Sequence, residues 1–306
     1  MAVFRRLEDI PSSFEPSLVS VGNFDGVHLG HRALFKEAAE HGRPGALTFE
    51  PHPGKVLQPE LAPRLITPLA RKLQLMEAAG LDVVVVLPFT LAFARTPARD
   101  FEAMLFDKAR VRAVVVGRDY TYGAQRAGTV STLSEAAMAR GAVVAVVEPV
   151  TVGGVVASSS RIREYILEGR VGAARALLGR PFDLDGVVVK GDGRGRSIGF
   201  PTANVDTHGE LLPASGVYAV RVRTGEGWHG GAANIGTKPT FGGSAVTVEV
   251  HLLDWSGDLY GQEVRVEFLE RLRAERRFAS VSELVAQIQR DVEEARVVLA
   301  RTPAVP

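Results

Sequence analysis

The sequence predicts two domains of different class, an α/β domain followed by a small β domain. The chain has 306 residues, which at roughly 150 residues per domain suits two domains. Val-rich strand-like runs alternate with capped helical segments over residues 1–180, and short alternating segments separated by Gly-rich turns fill most of residues 181–306. We therefore expect residues 1–180 and residues 181–306 to fold as separate domains.

The first domain is predicted to hold a parallel sheet with helices on both faces. Near-continuous Val runs are typical of strands that are buried on both faces, and βαβα alternation makes neighbouring strands parallel. The predicted strands are Leu18–Gly22, Ala46–Phe49, Asp82–Leu87, Val111–Val116 and Ala142–Val147. In such a sheet ligands bind beyond the carboxyl ends of the strands.

Helical segments lie between these strands. We expect helices over residues 31–41, from Thr67-Pro68 to Gly80, from Thr96-Pro97 to Ala109, and over residues 132–140. Each Thr-Pro pair predicts a capping hydroxyl followed by Pro at the first helical position.

The second domain is predicted to be a small antiparallel barrel that ends in a helix. The segments Gly186–Lys190, Val217–Arg223, Val246–Leu252 and Val264–Phe268 alternate or are β-branched, and turns such as GDGRGRSIG and TGEGWHGG separate them. Ser280 and Glu283 predict a capping box at the start of the final helix. One apolar stripe follows it: Leu284, Ile288, Val292, Ala295 and Leu299.

Composition excludes several classes of protein. The chain has no Cys, which excludes disulfides, iron–sulfur clusters, thiolate zinc sites and cysteine nucleophiles. A formal net charge of +1 argues against a protein that coats a nucleic-acid backbone, so no nucleic-acid partner is expected. We find neither a secretory signal nor an apolar run of membrane-spanning length, and we expect a soluble cytoplasmic protein with no membrane partner. The sequence carries no signal that decides whether the chain self-associates.

The segment GNFDGVHLGH (22–31) follows the first strand and opens a helix. A helix N-terminus offers unpaired N–H groups and the positive end of the helix dipole, which favours anions. His28 and His31 are three residues apart and share a face, so both could donate hydrogen bonds to phosphate oxygens. Gly30 is expected to let a ligand approach the backbone. Ordinary core or surface histidines and half of a zinc site are the alternatives, but no third zinc ligand is obvious.

An HxGH motif in a turn between a strand and a helix is typical of nucleotidyltransferases, which attack the α-phosphate of a nucleotide and release pyrophosphate. Three further segments should lie at the same edge of the sheet. His52 lies in TFEPHP, Asp119 follows the strand Val111–Val116, and ASSSRIR (157–163) places three hydroxyls and two Arg at a helix start. Each segment could be an ordinary loop, but together they favour a phosphate site.

A second phosphate site is predicted in the second domain, although no P-loop motif occurs in the chain. The segment GDGRGRSIGFPTAN (191–204) joins a Gly-rich loop to the extended stretch PTAN. Thr202 and Asn204 are two residues apart and face the same side of that stretch. Their oxygens are hard ligands that suit a Mg²⁺ ion carried by a nucleotide.

Glu249 is the candidate general base of this second site. In VTVEVHLLD (246–254), Thr247, Glu249 and His251 lie on the face opposite Val246, Val248 and Val250. Phosphate transfer to an alcohol requires removal of a proton from a weak nucleophile, so a positioned carboxylate is expected. Adenylyl transfer to a phosphate needs no such base, because the attacking oxygen is already anionic. A solvated surface Glu is the alternative.

These motifs, in this order and over nearly the whole chain, resemble the prokaryotic bifunctional riboflavin kinase/FAD synthetase family. Further matching segments are GVYAV (216–220), NIGTKPTFGG (234–243) and LYG (259–261). The resemblance implies a Rossmann-like nucleotidyltransferase domain that acts as FMN adenylyltransferase, and a riboflavin kinase barrel. It implies ATP, riboflavin, FMN and FAD as substrates and products, with Mg²⁺ as cofactor.

The resemblance also implies roles for individual residues. His28, His31, Arg161 and Glu249 would be catalytic. The adenylyltransferase would bind ATP through Gly22, Asn23, Phe24, Asp25, Gly30, Ser158, Ser159 and Ser160, and flavin through His52 and Asp119. The kinase would hold nucleotide and Mg²⁺ through Gly193, Gly195, Thr202 and Asn204, with Thr202 and Asn204 as the metal ligands.

The chain departs from the family pattern at a few positions. Ala157-Ser158-Ser159-Ser160 stands where ISST is usual, and Tyr120 and Tyr122 stand where Phe is commoner. None of these changes removes a group that the chemistry needs. Two other functions are the alternatives: a single-activity adenylyltransferase with a non-catalytic flavin-binding barrel, and a non-catalytic flavin or nucleotide sensor. The PTAN segment, the second His and Glu249 argue against them.

Overall fold

The computed structural model describes residues 1–11, 18–40, 42–191, 193–207, 211–240 and 243–302. The chain divides into two compact units, Met1–Ser159 and Ser160–Pro306. His41, Asp192 and residues 241–242, which belong to segments discussed above, lie outside the described residues.

The first unit is built on a parallel sheet whose strands follow the order β1-β4-β3-β2-β5-β8. Two short antiparallel hairpins, β6–β7 and β9–β10, accompany it. The strands are β1 (Ala2–Phe4), β2 (Leu18–Val21), β3 (Pro44–Glu50), β4 (Val83–Pro88), β5 (Ala113–Gly117), β6 (Thr121–Tyr122), β7 (Gly128–Thr129), β8 (Val143–Val147), β9 (Thr151–Val152) and β10 (Val155–Val156).

Helices of the first unit connect these strands. They are α1 (Leu29–Glu40), α2 (Pro53–Leu57), α3 (Leu69–Ala78), α4 (Leu91–Ala94), α5 (Ala98–Ala103) and α6 (Val130–Met138). A π-helical turn, Met104–Lys108, continues α5, and short 3₁₀ turns lie at Leu7–Asp9, Pro59–Leu61 and Ala124–Arg126.

Both faces of the parallel sheet are covered, as the Val runs predict. Val85 and Leu87 of β4 point to one face, where they join a buried cluster with Phe101 and Leu133. Val84 and Val86 point to the other face, where Phe35 of α1 and Met76 of α3 pack against the sheet. Alternate residues of one strand therefore enter two different cores, and each core buries apolar area that stabilises the sheet–helix layers.

The predicted Thr caps are wrong at two helices. Helix α3 begins after Pro68 and α5 begins after Pro97, and neither start has a side-chain cap. The Thr67 hydroxyl instead accepts from the Gly26 N–H at 3.0 Å and contacts Asp25, so a tertiary contact replaces the local one. At α6 the cap is Thr129: its hydroxyl accepts from the Thr132 N–H, and the Thr132 hydroxyl accepts from the Thr129 N–H.

The second unit is a closed antiparallel barrel with strand order β11-β12-β15-β14-β13-β16. The strands are β11 (Phe182–Val189), β12 (Ala203–Asp206), β13 (Gly216–Thr224), β14 (Gly227–Thr240), β15 (Gly243–Leu252) and β16 (Glu263–Ala274). The helices are α7 (Ser159–Leu167), α8 (Val171–Leu178), α9 (Arg194–Ser197) and α10 (Val281–Arg301). Helices α7 and α8 thus group with the barrel from Ser160 onward, and the domain boundary at 180/181 stays a prediction.

Helix α10 covers one side of the barrel. Ala295 and Val298 of α10 form a buried cluster with Ala219 and Leu269 of the strands. The Ser280 hydroxyl caps the helix by accepting from the Glu283 N–H at 3.2 Å, as predicted, whereas the Glu283 carboxylate accepts from the Ala279 N–H. None of the described helices combines the length and apolar character needed to span a membrane. The predicted fold class, an α/β domain plus a small barrel with a C-terminal helix, is confirmed.

Strands β1 and β14 are among those that the sequence patterns did not predict. Strand β1 is only three residues long and pairs with β4 at the sheet edge. Strand β14 begins at Gly227, within the predicted turn TGEGWHGG, and continues into NIGTKPT, although Gly and Pro disfavour strands. It is hydrogen-bonded to β13 on one side and to β15 on the other, and this pairing outweighs its weak local propensity.

Two candidate active sites

The turn after β2 holds the first candidate site, and buried hydrogen bonds fix its backbone. Asp25 is 3% exposed, and its carboxylate accepts from the N–H groups of Ile66 and Thr67 at 3.0–3.1 Å. The Ser159 hydroxyl donates to the Asp25 carbonyl at 2.8 Å. Phe24 and Val27 have φ angles of 51° and 42°, which non-glycine residues rarely adopt. Asp25 therefore holds a strained turn in place, a structural task distinct from direct contact with ATP.

His28 and His31 lie together at the start of α1. Their rings stack with centroids 3.5 Å apart and an interplanar angle of 23°. The His31 backbone N–H points to the His28 Nδ1 at 3.4 Å, so neutral His28 carries its proton on Nε2, where it can donate to a ligand. The His31 Nδ1 is buried and has no hydrogen-bond partner among the described residues. The pair thus offers ring N–H groups beside the N-terminal amides of a helix, a suitable arrangement for phosphate oxygens.

Both imidazoles are neutral at pH 7. Burial lowers the pKa of His28 to about 4, although the nearby Asp25 carboxylate opposes this shift. The pKa of His31 lies well below its ordinary value. Burial is the largest cause, followed by the adjacent His28 and the Lys72 ammonium. A neutral imidazole can donate one hydrogen bond. That bond becomes stronger when negative charge develops on an acceptor oxygen.

The low pKa of His28 predicts acid sensitivity. Between pH 6.5 and about 4 the unfolded chain binds a proton at His28 that the folded chain excludes, so stability rises with pH in this window and falls as the solution is acidified. The expected decrease in the free energy of unfolding that His28 causes over this pH range is at most about 3 kcal/mol. Urea unfolding from pH 7 to pH 4 should show a shallower pH dependence in His28→Asn, which keeps a capping acceptor; equal slopes would contradict the prediction.

Gly30 has a packing role within the turn. A Cβ at this position would lie 3.1 Å from the His28 ring and 3.3 Å from the Ala157 carbonyl oxygen. The missing side chain therefore makes room for His28 itself, and the expected approach of a ligand to this backbone remains a prediction.

The carboxyl ends of neighbouring strands bring the other predicted residues of the first unit to one edge. His52 follows β3, and its Nδ1 accepts from the Gly54 N–H at 3.1 Å, which caps α2. Asp119 follows β5 and is exposed. Sequence reasoning did not single out the aromatic row at this edge, in which successive ring centroids lie 5.5–6.4 Å apart: Phe89, Phe49, Phe93, Phe101, Tyr122 and Tyr120. Phe49, Phe89 and Phe93 are half-buried, so the row offers ring surface for a planar ligand.

The ASSSRIR segment is divided between the two compact units. Ser158 and Ser159 belong to the first unit, whereas Ser160 and Arg161 open helix α7 of the second. Arg161 is exposed and forms a 2.6 Å ion pair with Glu164, one helical turn away. The guanidinium therefore lies on the surface of α7. Its ion pair with Glu164 is weak, because both side chains are exposed to solvent.

The second candidate site is a cavity of about 310 Å³ between the barrel and α10. Val217 and Ala233 line it from the strands, and Phe278, Leu284 and Ile288 line it from the segment that contains α10. Arg273 on β16 holds this wall through a bidentate ion pair of 2.7–2.9 Å with the buried Asp291 of α10. A cavity of this size with mainly apolar walls suits a flat aromatic ligand.

Polar groups converge on one side of this cavity. Glu249 lines it and lies directly opposite Asn204 on β12 and Asn234 on β14 in the strand register. Directly opposed residues have Cβ atoms about 5 Å apart, so the carboxylate has an amide neighbour on each side. Asn234, which also lines the cavity, was not identified from the sequence because its relation to Glu249 depends on strand pairing.

Thr202 connects this cavity with a second one. It lines both the 310 Å³ cavity and a cavity of about 260 Å³ whose other walls include Arg196, Trp255 and Tyr260. His251 fixes the segment before Thr202, since its Nδ1 donates to the Pro201 carbonyl at 2.8 Å. Thr202 is therefore placed where two bound molecules would meet.

The Gly-rich loop packs closely on this region. A Cβ at Gly191 would lie 2.1 Å from the Asn204 amide nitrogen, so only glycine lets Asn204 pack there. The predicted loop contains one helical turn, α9, which begins after Gly193, and Gly195 lines the larger cavity. Thr202 and Asn204 supply the oxygens predicted for Mg²⁺, and this donor set fits a hard cation that also binds nucleotide oxygens.

Two family models match the chain in the order of these sites. The FAD synthetase model matches residues 10–161, and the riboflavin kinase model matches residues 178–299. A solved structure from Streptococcus pneumoniae, described as a macrolide-efflux protein, is 33% identical with a TM-score of 0.88 and covers 96% of this chain and 98% of that one. The fold is therefore shared over nearly the full length.

Curated relatives carry both activities in their names. The bifunctional riboflavin kinase/FMN adenylyltransferase of Escherichia coli K12 is 42% identical over 289 residues, which is 92% of each chain. The protein of the same name from Bacillus subtilis 168 is 37% identical over 289 residues, which is 91% of each chain. This chain belongs to the family of bifunctional riboflavin kinase/FMN adenylyltransferases, which use ATP to phosphorylate riboflavin to FMN and then adenylylate FMN to FAD with release of pyrophosphate.

Proposed function

We propose that each predicted domain carries one of the two reactions, with adenylyl transfer assigned to residues 1–180 and riboflavin phosphorylation to residues 181–306. The observation that supports this assignment is the presence of a different kind of polar group in each unit. The first holds the stacked His28–His31 pair at a helix N-terminus, and the second holds the Glu249 carboxylate in a flavin-sized cavity. Each group suits a nucleophile of different charge.

In the first reaction riboflavin lies in the cavity under α10 with its ribityl end toward Glu249. The Glu249 carboxylate accepts the proton of the ribityl hydroxyl as its oxygen attacks the γ-phosphate of ATP, and ADP leaves. ATP occupies the neighbouring 260 Å³ cavity. Because Thr202 lines both cavities, the terminal phosphate of ATP lies beside Thr202 and faces riboflavin. Gly193 and Gly195 let the loop approach the nucleotide.

In the second reaction the phosphate of FMN attacks the α-phosphate of ATP, and pyrophosphate leaves. His28 and His31 donate hydrogen bonds to phosphate oxygens as charge builds in the transition state. Asn23, Ser158, Ser160 and Arg161 are proposed to bind ATP, Gly22, Phe24 and Asp25 to shape its site, and His52 and Asp119 to bind flavin beside the aromatic row. No base is needed, because the attacking oxygen is already anionic.

Thr202 and Asn204 would hold Mg²⁺ in the kinase site. Magnesium bound with ATP would offset the negative charge of the phosphates. We further propose that the protein works in the cytoplasm on small-molecule flavins and ATP.

Thr202→Val tests the kinase assignment. We expect riboflavin phosphorylation to fall ten- to hundred-fold with a higher KM for ATP, because the variant lacks the hydroxyl oxygen between the two cavities. FAD formation from supplied FMN should stay within twofold, and chelation of Mg²⁺ should stop phosphorylation until the ion is restored. Chromatography of the flavins measures both products.

Thr247→Val is the matched control, since Thr247 lies on the adjacent strand and lines neither cavity. Unchanged phosphorylation in Thr202→Val, or an equal loss of both activities in a folded protein, would contradict the assignment.

A further inference from the structure

A buried lysine lies under the turn that carries the histidine pair. Lys72 on α3 is 6% exposed, and its Nζ donates to the Asn23 carbonyl and to the Thr48 hydroxyl, both at 3.2 Å. The Thr48 hydroxyl, at the end of β3, donates to the same carbonyl at 3.1 Å. Three elements thus meet at one ammonium group: helix α3, strand β3 and the turn after β2.

Burial of this cation is costly for folding. Burial lowers the pKa of Lys72, while the carboxylates of Asp25 and Glu50 raise it. An apolar side chain of similar length could fill the space without this cost, as replacements of buried ion pairs in other proteins show. A buried ammonium therefore needs an explanation beyond the stability of the sheet.

The position of Lys72 suggests what it holds. Asn23 is the residue at which the turn leaves the sheet, and the strained residues Phe24 and Val27 follow. Rare backbone conformations of this kind are energetically costly and persist only where surrounding contacts enforce them. The Asp25 carboxylate anchors the middle of the turn to Ile66 and Thr67, and the Lys72 ammonium anchors its beginning. The exposed Asn23 residue keeps its carbonyl inward between these anchors.

We propose that Lys72 is a positioning residue for adenylyl transfer: it fixes the Asn23 carbonyl, holds the turn that presents His28 and His31, and keeps a positive charge beneath the phosphates. This inference rests on the proposed assignment of adenylyl transfer to the histidine pair. It goes beyond that assignment because Lys72 touches neither flavin nor ATP in the proposed scheme and acts through the turn.

The positive charge of Lys72 has an effect that can be measured separately, on the pKa of His31. Lys72 contributes to the low pKa of His31, after burial and the adjacent His28. The charged groups that face Lys72 are Asp25 and Glu50, both of which remain in a Lys72 variant. Removal of the ammonium alone should therefore make His31 easier to protonate.

Lys72→Met is the main test, since it keeps the length of the side chain and removes the charge. We expect kcat for FAD formation from FMN to fall ten- to hundred-fold, while the KM for FMN changes less than threefold. Riboflavin phosphorylation by the same protein should stay within twofold. Lys36→Met is the matched control, because Lys36 is an exposed lysine on α1 that pairs only weakly with Glu40, and it should keep full FAD formation.

Two further measurements separate positioning from loss of fold. Side-chain NMR titration of the full chain, with His31 assigned through His31→Asn, should show a higher pKa for His31 in Lys72→Met. Amide hydrogen exchange should show that strands β2–β5 stay protected. If Lys72→Met does not fold, Lys72→Arg decides, since a retained cation should keep FAD formation within tenfold of the parent protein.

The outcomes are distinct. FAD formation within twofold of the parent in Lys72→Met, or a reduced rate with an unchanged His31 pKa, would overturn the role of Lys72. A loss of more than tenfold in a folded Lys72→Arg would do the same. Full FAD formation in a His28 variant would instead overturn the proposed function on which this inference rests.

Discussion

His28→Ala should lower FAD formation from FMN by about 10³-fold while riboflavin phosphorylation stays within twofold. The imidazole is placed to donate from Nε2 to phosphate oxygens, and loss of one such donor typically costs 10²–10³ in kcat. Loss of the stacked partner also leaves His31 without the ring that packs 3.5 Å away. Chromatography of flavin products from separate FMN and riboflavin reactions measures both effects.

Two control variants separate the loss of the His28 donor from a loss of stability and from the loss of a histidine elsewhere in the chain. His28→Asn keeps an acceptor for the His31 N–H, so it should recover stability without recovering the full rate. His229→Ala removes a histidine of the barrel that bonds to Thr224, and it should leave FAD formation from FMN unchanged. If a folded His28→Ala protein made FAD at the parent rate, or lost both activities, the assignment of this site would be wrong.

Glu249→Gln should have the opposite effect on the two products. The amide keeps the size of the carboxylate but cannot accept the ribityl proton, and loss of a general base typically costs 10²–10⁴ in rate. We therefore expect FMN formation from riboflavin to fall by that factor. FAD formation from supplied FMN should stay within twofold, since its nucleophile is already ionised.

Glu263→Gln is the matched control, because Glu263 is an exposed carboxylate at the start of β16 on the same barrel. It should phosphorylate riboflavin at the parent rate. Equal phosphorylation in Glu249→Gln and Glu263→Gln would remove Glu249 from the reaction, and loss of FAD formation in Glu249→Gln would show that the two sites are not separate.

These experiments together test a division of chemistry by charge. The histidine pair is neutral, whereas the Glu249 carboxylate lines the cavity of the second unit, so each site is proposed to suit one of the two nucleophiles. A variant in one unit should therefore leave the other reaction measurable in the same chain, which provides an internal control for protein concentration.

Some features of this protein were predictable because they depend on neighbours along the chain. His28 and His31 share a face through helical spacing, and Ser280 caps α10 through a contact three residues away. The Val runs predicted a sheet buried on both faces. Of the three Val residues predicted to share one face of the segment 246–252, Val248 and Val250 are buried, whereas Val246 is exposed. Periodicity and capping act over a few residues, so sequence reasoning reaches them.

Tertiary structure decided the contacts that join distant segments. Lys72 meets Asn23 across 49 residues, and Asn234 lies opposite Glu249 only because β14 pairs with β15. Thr67 binds Asp25 and Gly26 in place of the predicted helix cap. The sequence alone determined the fold class and the family and predicted the groups proposed to perform chemistry, whereas strand order and burial determined which side chains surround those groups. Such contacts follow from the pairing of whole elements, which no local pattern encodes.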